Sequence, residues 1–462
     1  MLSRLKAFFL GQQPESDRIE VSKYNPSDII TRDVCVIGGG AAGTYAAVQL
    51  QRKGKSVVVV EKEARLGGQT TTYIDPDSNK PIEYGVTWFM DLPVVRDFFA
   101  QLGTRVTPSS FTYKLDYYDF RTGEQFPPIS SAEDQRAALE KYHALMTAKY
   151  PFLRLGFYLP ARVPEELLLP FGQFVRMHNM GSLLPSLGGL NFLGDWLRQP
   201  TIYVMKYLNM DFVTGLAQGF LKPENRNNST VYDTALAKIG TNNVLLSHRV
   251  LAADRVADPM WTYLEVQEGT GENASKRLIR AQRIILAVPP LPTVLHGLDL
   301  SSQENDLFNQ FQYTYCYTGV VKIPGLGSDI CYVNRGSADP FAYPRVPNLF
   351  VLRPSDVPEL FTVHFGSSTP LSEDQLKREI IGSIRSFRHI TPEIRILGDH
   401  SPYQLRVPAE AIANGFYRDL NGLQGHRRTY YIGAAFESHN SPQIWELTAQ
   451  ILENELLPSL SK

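Results

Sequence analysis

The sequence predicts a doubly wound α/β nucleotide-binding domain, assembled from three separated stretches and interleaved with a second, α+β domain. Three observations predict it. An apolar run, DVCVI, stops at the glycines of GGGAAG. A second run, SVVVV, follows one helix later and closes on an acid. Strand texture of the same kind returns near Asn242 and again around Tyr430. Short apolar runs bounded by turn signals are the mark of parallel strands buried on both faces.

The first unit is the most specific. Gly38, Gly40 and Gly43 fit G-x-G-x-x-G. The first glycine permits a tight turn, the second lets backbone approach a diphosphate, and the third lets the next helix lie close on the strand. That helix, expected from Ala41 to Lys53 and ended by Gly54, presents unpaired N–H groups and the positive end of its dipole to the same anion. Glu61 stands 18 residues after Gly43, where a carboxylate accepts both ribose hydroxyls and repels a phosphate on them. Strand, helix, strand and acid in this order say much more than the glycine pattern alone. Arg65, Gly67 and Gly68 then add a cation and a second stretch of open backbone beside the diphosphate.

Composition bounds the remainder. The chain has 462 residues, enough for two domains or one interleaved pair. With 46 basic and 47 acidic residues it carries no excess of the kind that binds nucleic acid. Cys35, Cys316 and Cys331 form no C-x-x-C, so neither a disulfide framework nor a metal site is expected. No apolar run reaches transmembrane length, and the AFFL of the opening MLSRLKAFFLG is too short for a signal peptide, which makes an intracellular protein the expectation. Sequons at Asn227-Asn228-Ser229-Thr230 and Asn273-Ala274-Ser275 are read as chance matches on that basis.

In order along the chain, residues 1–30 read as a polar leader and 31–104 as the first nucleotide-binding segment. The latter closes with a hairpin around Asp75–Asn79 and an amphipathic helix capped by Gly103. Residues 105–220 change texture: two short strands flank Thr122-Gly123, and a helix begins at Ser131 with acids in its first turn. Proline-broken helical stretches follow, so this block reads as the first part of a substrate domain. Residues 221–300 return to nucleotide-domain strands, ending at IILAVPP. Residues 301–400 alternate short strands with one helix, SEDQLKREIIGSIRSF, as the second part of the substrate domain. Residues 401–462 form the last nucleotide segment: a strand ending at Gly433-Ala434, then a helix from Ser441-Pro442, with serine and proline suited to its first turn.

Together VCVIGGGAAGTYAAVQL, VVVVEKEARLGGQTTTYIDP, IEYG, VPEELLLPF, SPYQLRVPAEAIANGFYRDLNGLQG and YYIGAAFESHNSPQIW resemble fungal FAD-dependent oxidoreductases of the β-cyclopiazonate dehydrogenase type, within the flavin amine oxidase superfamily. The likeness runs from residue 31 to 460. It implies FAD as cofactor, a substrate sheet over the flavin ring, and a small, often aromatic or polyketide-derived substrate, with dioxygen as a candidate acceptor. Carried over by position, Gly38, Gly40, Gly43, Glu61, Lys62, Arg65, Gly67, Gly68, Gly85, Val250, Gly433, Ala434, Ile444 and Trp445 would hold FAD. Tyr403 and Trp445 would flank the flavin, and Lys322 would stand where amine oxidases keep a lysine near flavin N5. The region HSPYQLRVP lacks the cysteine that tethers flavin in many amine oxidases, which excludes a cysteinyl link there and leaves His400 open. Two rival functions fit the same fold: a redox-neutral double-bond isomerase of unsaturated fatty acids, and a carrier resembling Rab GDP-dissociation inhibitors. The complete glycine, Glu61 and Arg65 set disfavours the carrier.

Overall fold

The computed structural model describes residues 19–460 apart from 186, 188–193, 270, 272–274 and 338. The opening segment 1–18 and the Asn273 sequon lie outside the described residues. Residues 19–28 of the expected leader hold two short 3-10 turns, Val21–Lys23 and Pro26–Asp28.

Strand Ile29–Ile37 is the middle of the first sheet. It pairs in parallel with Val57–Val60 on one side and Lys276–Leu286 on the other. Val57–Val60 continues in parallel to Val244–Leu245. The far half of Lys276–Leu286 takes Thr429–Tyr431 as a parallel neighbour, while its near half carries the antiparallel pair His248–Asp254 and Thr262–Glu268. Parallel neighbours cannot be joined by a tight turn, so each crossover is long. That is why one sheet draws on residues 29–60, 244–286 and 429–431. Val34, Cys35, Val36, Val58 and Val59 are wholly buried, as unbroken apolar runs require.

The second sheet has eight strands among the described residues. Its hairpin Lys114–Tyr118 and Gln125–Phe126 comes from the first substrate segment, and its remaining strands lie between Gln312 and Arg406. The helix Glu373–Arg388 covers its outer face through Leu376, Ile380, Ile384 and Phe387, spaced at four, four and three residues as one helical stripe demands. The inner face follows from the register. Leu115 lies opposite Cys331, Arg353 opposite Thr362, and His364 opposite Thr318.

Three features differ from the sequence expectation. Tyr403–Arg406, expected in the last nucleotide segment, pairs with Gln312–Lys322 of the second sheet. Helix Ser229–Ile239 was not anticipated, nor was Ser302–Phe308, although Ser301 and Glu304 form a complete capping box. The Asn228 sequon is closed inside the fold: its backbone N–H donates to Glu83 and its amide to the Val86 carbonyl. Among the described residues no helix is long and apolar enough to cross a membrane.

Arg255 staples the second and third segments of the first domain. Its fully buried guanidinium donates to Asp299 at 2.6 Å and to both oxygens of Glu304 at 2.8 and 3.0 Å, while the Tyr431 hydroxyl also donates to Glu304. Burial by itself raises the Glu304 pKa, but the Arg255 hydrogen bonds and charge outweigh it and hold the carboxyl at about 2. A carboxylate depressed in the fold contributes stability above its unfolded pKa, and that contribution disappears as pH falls from about 4.5 through about 2. Arg255→Met is expected to cost about 3–5 kcal/mol in urea denaturation at neutral pH, because it strands two buried carboxylates. Glu304→Gln is expected to lower the urea midpoint at neutral pH and to flatten its fall over that acidic window.

Candidate active site

The glycine turn is shaped by contacts that exclude a side chain. A Cβ on Gly43 would collide with the Gly38 carbonyl oxygen, so helix Ala41–Arg52 reaches its closeness to the first strand only with glycine there. Gly40 is different. A Cβ there would have only the Gly68 Cα nearby, at 3.9 Å, so the fold itself leaves space beside the facing glycine backbones. Gly40 caps the helix without a side-chain bond, leaving its first N–H groups aimed at that space. Gly67 is fastened to the same turn through its N–H on the Gly39 carbonyl, 2.8 Å.

Glu61 is buried at the end of strand Val57–Val60. It accepts N–H bonds from Gly39 at 2.6 Å and Glu63 at 2.8 Å, which uses about half the lone pairs of a carboxylate. Arg65 folds back on its own turn, donating to the carbonyls of Leu66, Gly68 and Thr70 at 2.9–3.1 Å. It therefore fixes the turn that brings Gly68 to Gly40 and leaves its charge beside the cradle. The backbone N–H of His248 bonds to the Glu61 carbonyl at 2.9 Å, which sets Val250 on the strand running away from that acid. A Cβ on Gly433 would meet only the Ala42 Cβ, at 3.9 Å, which places the last segment against the start of the first helix. The cradle is one that a Cβ on Gly40 would fill, with uncapped helix N–H groups and spare carboxylate acceptors around it. These residues fit a dinucleotide.

A cavity of about 310 Å³ adjoins the cradle. One end is formed by Gln69, Gly85, His400, His439 and the start of the closing helix at Ser441-Pro442. That helix has no side-chain cap, so its positive end faces the cavity wall. Gly85 is forced: a Cβ there would collide with the Gln69 carbonyl oxygen. The inner face of the second sheet lines one side with Leu115, Cys316, Thr318, Cys331, Arg353 and His364. Trp88, Phe111, Phe212 and Phe220 close the other side with edge-on and tilted ring contacts at 4.7–5.9 Å.

One hydrogen-bonded chain orders the polar end. The Gln404 N–H donates to His439 Nε2 at 2.8 Å, so the ring proton sits on Nδ1, facing Gln69 Oε1 at 3.2 Å. Gln69 in turn donates its amide to the His400 carbonyl at 2.9 Å. His400 Nε2 lies 2.7 Å from the Thr318 hydroxyl. Burial drives both imidazoles down, His400 to about 4 and His439 to about 3, so both are neutral at physiological pH. Among the described residues, no carboxylate lines this cavity.

Tyr403 lies in the cavity wall, buried and stacked on His439 with ring centroids 4.0 Å apart. Two other expectations give way. Trp445 is a core residue: its indole is fully buried, donates to the Ala41 carbonyl at 3.0 Å, and stacks on Phe89 at 5.5 Å and Tyr45 at 6.0 Å. It fastens the closing helix to the glycine-turn helix and does not line the cavity. Lys322 ends its strand at the surface, 3.9 Å from Glu359, also outside the lining. Lys62 is exposed and pairs with Glu63, 3.4 Å. Ile444 is buried with its N–H on the Asn440 carbonyl at 3.0 Å, while Ala434 borders a small second cavity beside His439.

That small cavity holds a pair no sequence signal announced. Lys206 and Glu437, both fully buried, meet at 2.5 Å; Lys206 also donates to the Gly156 carbonyl at 3.0 Å, and the Gly156 N–H to Glu437. His439 and Arg353 went unremarked as well. Arg353 follows four apolar residues on a buried strand, whose cavity-facing side is legible only once the cavity is known.

The chain resembles known proteins along nearly its whole length. The family model described as an NAD(P)-binding Rossmann-like domain matches residues 36–102. The FAD-dependent oxidoreductase oblC of Cochliobolus heterostrophus is 35% identical over 460 residues, covering 95% of this chain and 93% of that protein. Beta-cyclopiazonate dehydrogenase of Aspergillus oryzae is 30% identical over 458 residues, covering 97% and 98%. Among solved structures, a CLA-producing fatty acid isomerase from P. acnes superposes with a TM-score of 0.75 at 18% identity over 92% of this chain and 98% of that one. Putrescine oxidase superposes at 0.63 with 14% identity, over 92% of this chain and 100% of that one. Identities that low establish a shared fold alone.

The two glycines separate folding from cofactor retention. Gly40→Ala should keep the parent melting temperature yet purify with most of its flavin lost, because its Cβ enters only the cradle. Gly43→Ala should lose stability as well, by about 1–3 kcal/mol from overpacking. Thermal melts and visible absorbance of the two purified variants distinguish the outcomes. A buried ion pair broken on one side is costly, so Lys206→Met should destabilise by about 3–5 kcal/mol in urea titration.

Proposed function

The chain belongs to the family of FAD-dependent oxidoreductases that includes beta-cyclopiazonate dehydrogenase, and from that premise we propose that it oxidises a small secondary-metabolite-type substrate held in the 310 Å³ cavity. The observation that carries this reading is the adjacency of the cavity to both the dinucleotide cradle and the uncapped closing helix, through Gln69, Gly85 and Ser441-Pro442. Gly38, Gly40, Gly43, Glu61, Gly68 and Gly433 would hold the FAD. Bound there, its isoalloxazine ring supplies hydride acceptance from a substrate C–H or amine carbon.

The residues of the chain supply everything around that step. Aromatic walls orient the substrate and exclude water. The N-terminus of the closing helix stabilises negative charge that develops beside it. His439, committed through both ring nitrogens, positions Gln69 and Tyr403 and has no free lone pair for a proton. His400 and Thr318 are among the neutral polar groups facing the substrate. With no carboxylate in the lining, the reading is hydride removal without a carboxylate general base, and dioxygen serves as the terminal acceptor.

Acid precipitation should release FAD from a yellow protein into the supernatant, and anaerobic photoreduction followed by air should bleach and restore the visible spectrum. A colourless protein would overturn the proposal. A substrate converted to an isomer with no acceptor consumed would replace it with the redox-neutral reading. For a substrate that reduces the flavin, the rate should stay level from about pH 8 to about pH 6, where an ordinary histidine would already titrate. Loss on the acid side is expected only as pH approaches about 4, the His400 value.

A further inference from the structure

We propose that the substrate of this cavity carries a carboxylate-type anionic oxygen, and that Arg353 is the residue that binds it. The inference rests on reading the cavity as the substrate site of an FAD-dependent oxidoreductase and names its substrate class.

Arg353 lies on the strand Asn348–Pro354, is only 8% exposed, and lines the cavity. Buried guanidinium groups are almost always matched by carboxylates. Among the described residues no carboxylate is paired with this one, and its Nε has no acceptor. Arg255, by contrast, is matched by both Asp299 and Glu304.

The neighbours of Arg353 make the imbalance sharper. Its guanidinium stacks over the Trp88 ring with its centre 4.9 Å from the centroid. The Tyr113 hydroxyl is hydrogen-bonded to the group, a neutral partner that leaves its charge unmatched, while Nε faces no acceptor. Lys222 stands over the same ring at 6.0 Å, so two cations share one indole. Tyr113 and His364 complete the surroundings, and burial keeps His364 neutral. Two acids act on Lys222, Asp356 and then Glu83; Glu83 is bonded by Thr72 and the Asn228 N–H, and burial raises it to about 8, so it is mostly protonated at neutral pH. Asp356 is an exposed partner of Arg226 at 2.8 Å. The cavity thus joins aromatic and aliphatic walls to one uncompensated positive edge. Its natural complement is an apolar body bearing a single anionic oxygen, which would gain a charge-assisted hydrogen bond in a water-poor site.

The test compares two probes of equal shape, 2-naphthoate and 2-naphthamide, titrated calorimetrically into the FAD-loaded protein at neutral pH. The acid is expected to bind about tenfold or more tightly than the amide, the range a hydrogen bond to a charged group supplies. In Arg353→Met that preference should vanish while amide affinity stays within about twofold, and Arg353→Lys should keep part of it. Equal affinities in the parent, binding of neither probe, or a preference that survives Arg353→Met would overturn the proposal. Should Arg353→Met fail to fold, the parent affinities and the Arg353→Lys variant decide the matter. Flavin absorbance of each sample is recorded alongside. A flavin-free parent would sink the oxidoreductase reading itself, whereas a flavin-loaded parent indifferent to charge would sink only the role of Arg353.

Discussion

The distance between the helix Ala41–Arg52 and the strand Ile29–Ile37 governs the nucleotide-binding half of this molecule, and Gly43 sets it. With no side chain at Gly43, the helix backbone comes down onto the Gly38 carbonyl. The helix N-terminus then lies directly behind the open gap between Gly40 and Gly68. The closing helix is referenced to the same point, because Trp445 donates to the carbonyl of Ala41, the first residue of the glycine-turn helix. A shift at Gly43 would therefore move both helix termini that face the cofactor region. Each end of the chain is located by the other across some 400 residues of separation.

Burial, more than any formal charge, sets the chemistry of the cavity. It keeps His400 and His439 neutral. In such a setting the oriented dipoles matter most: the uncapped start of the closing helix, and the directional chain from the Gln404 N–H through His439 and Gln69 to the His400 carbonyl. Gln404 holds its N–H in that direction with φ of +53°, a conformation costly for a residue with a side chain. Arg353 is the exception to this neutrality, a lone cationic edge within an otherwise uncharged lining.

The fully buried ionic groups outside the cavity have an architectural logic. Arg255 joins the strand His248–Asp254, the helix Ser302–Phe308 and the strand Thr429–Tyr431, elements from distant parts of the chain. Lys206 and Glu437 do the same for a substrate-domain helix and the loop before the closing helix, just behind His439. Such pairs gain little net stability over an apolar packing, yet each is very costly to break on one side. They accordingly fix relative position, and both clusters lie where the interleaved segments must meet.

The geometry of the glycine turn was legible residue by residue, since each part is local: Gly38, Gly40 and Gly43 lie within six positions, and Glu61 and Gly68 follow on the next strand and turn. Most helices were legible too, from caps such as Ser131 and Ser372 and from four-residue apolar spacing. Reading the cavity failed in a particular way. Trp445 looked like a flavin-flanking aromatic and Lys322 like an active-site lysine, because sequence position says which helix or strand a residue is on but not which side it presents. Tyr403–Arg406 falls within the stretch read as the last nucleotide segment yet pairs with the second sheet, because so short a strand does not specify its partner. By itself, then, the sequence determined the fold class and the glycine turn with the acid behind it, whose signals are short-range spacings of glycine, acid and apolar residues. Only the tertiary structure decided the cavity and its lining. The register of the second sheet turned Arg353, His364 and Thr318 inward, and which of two faces a strand buries depends on neighbours far away in the chain.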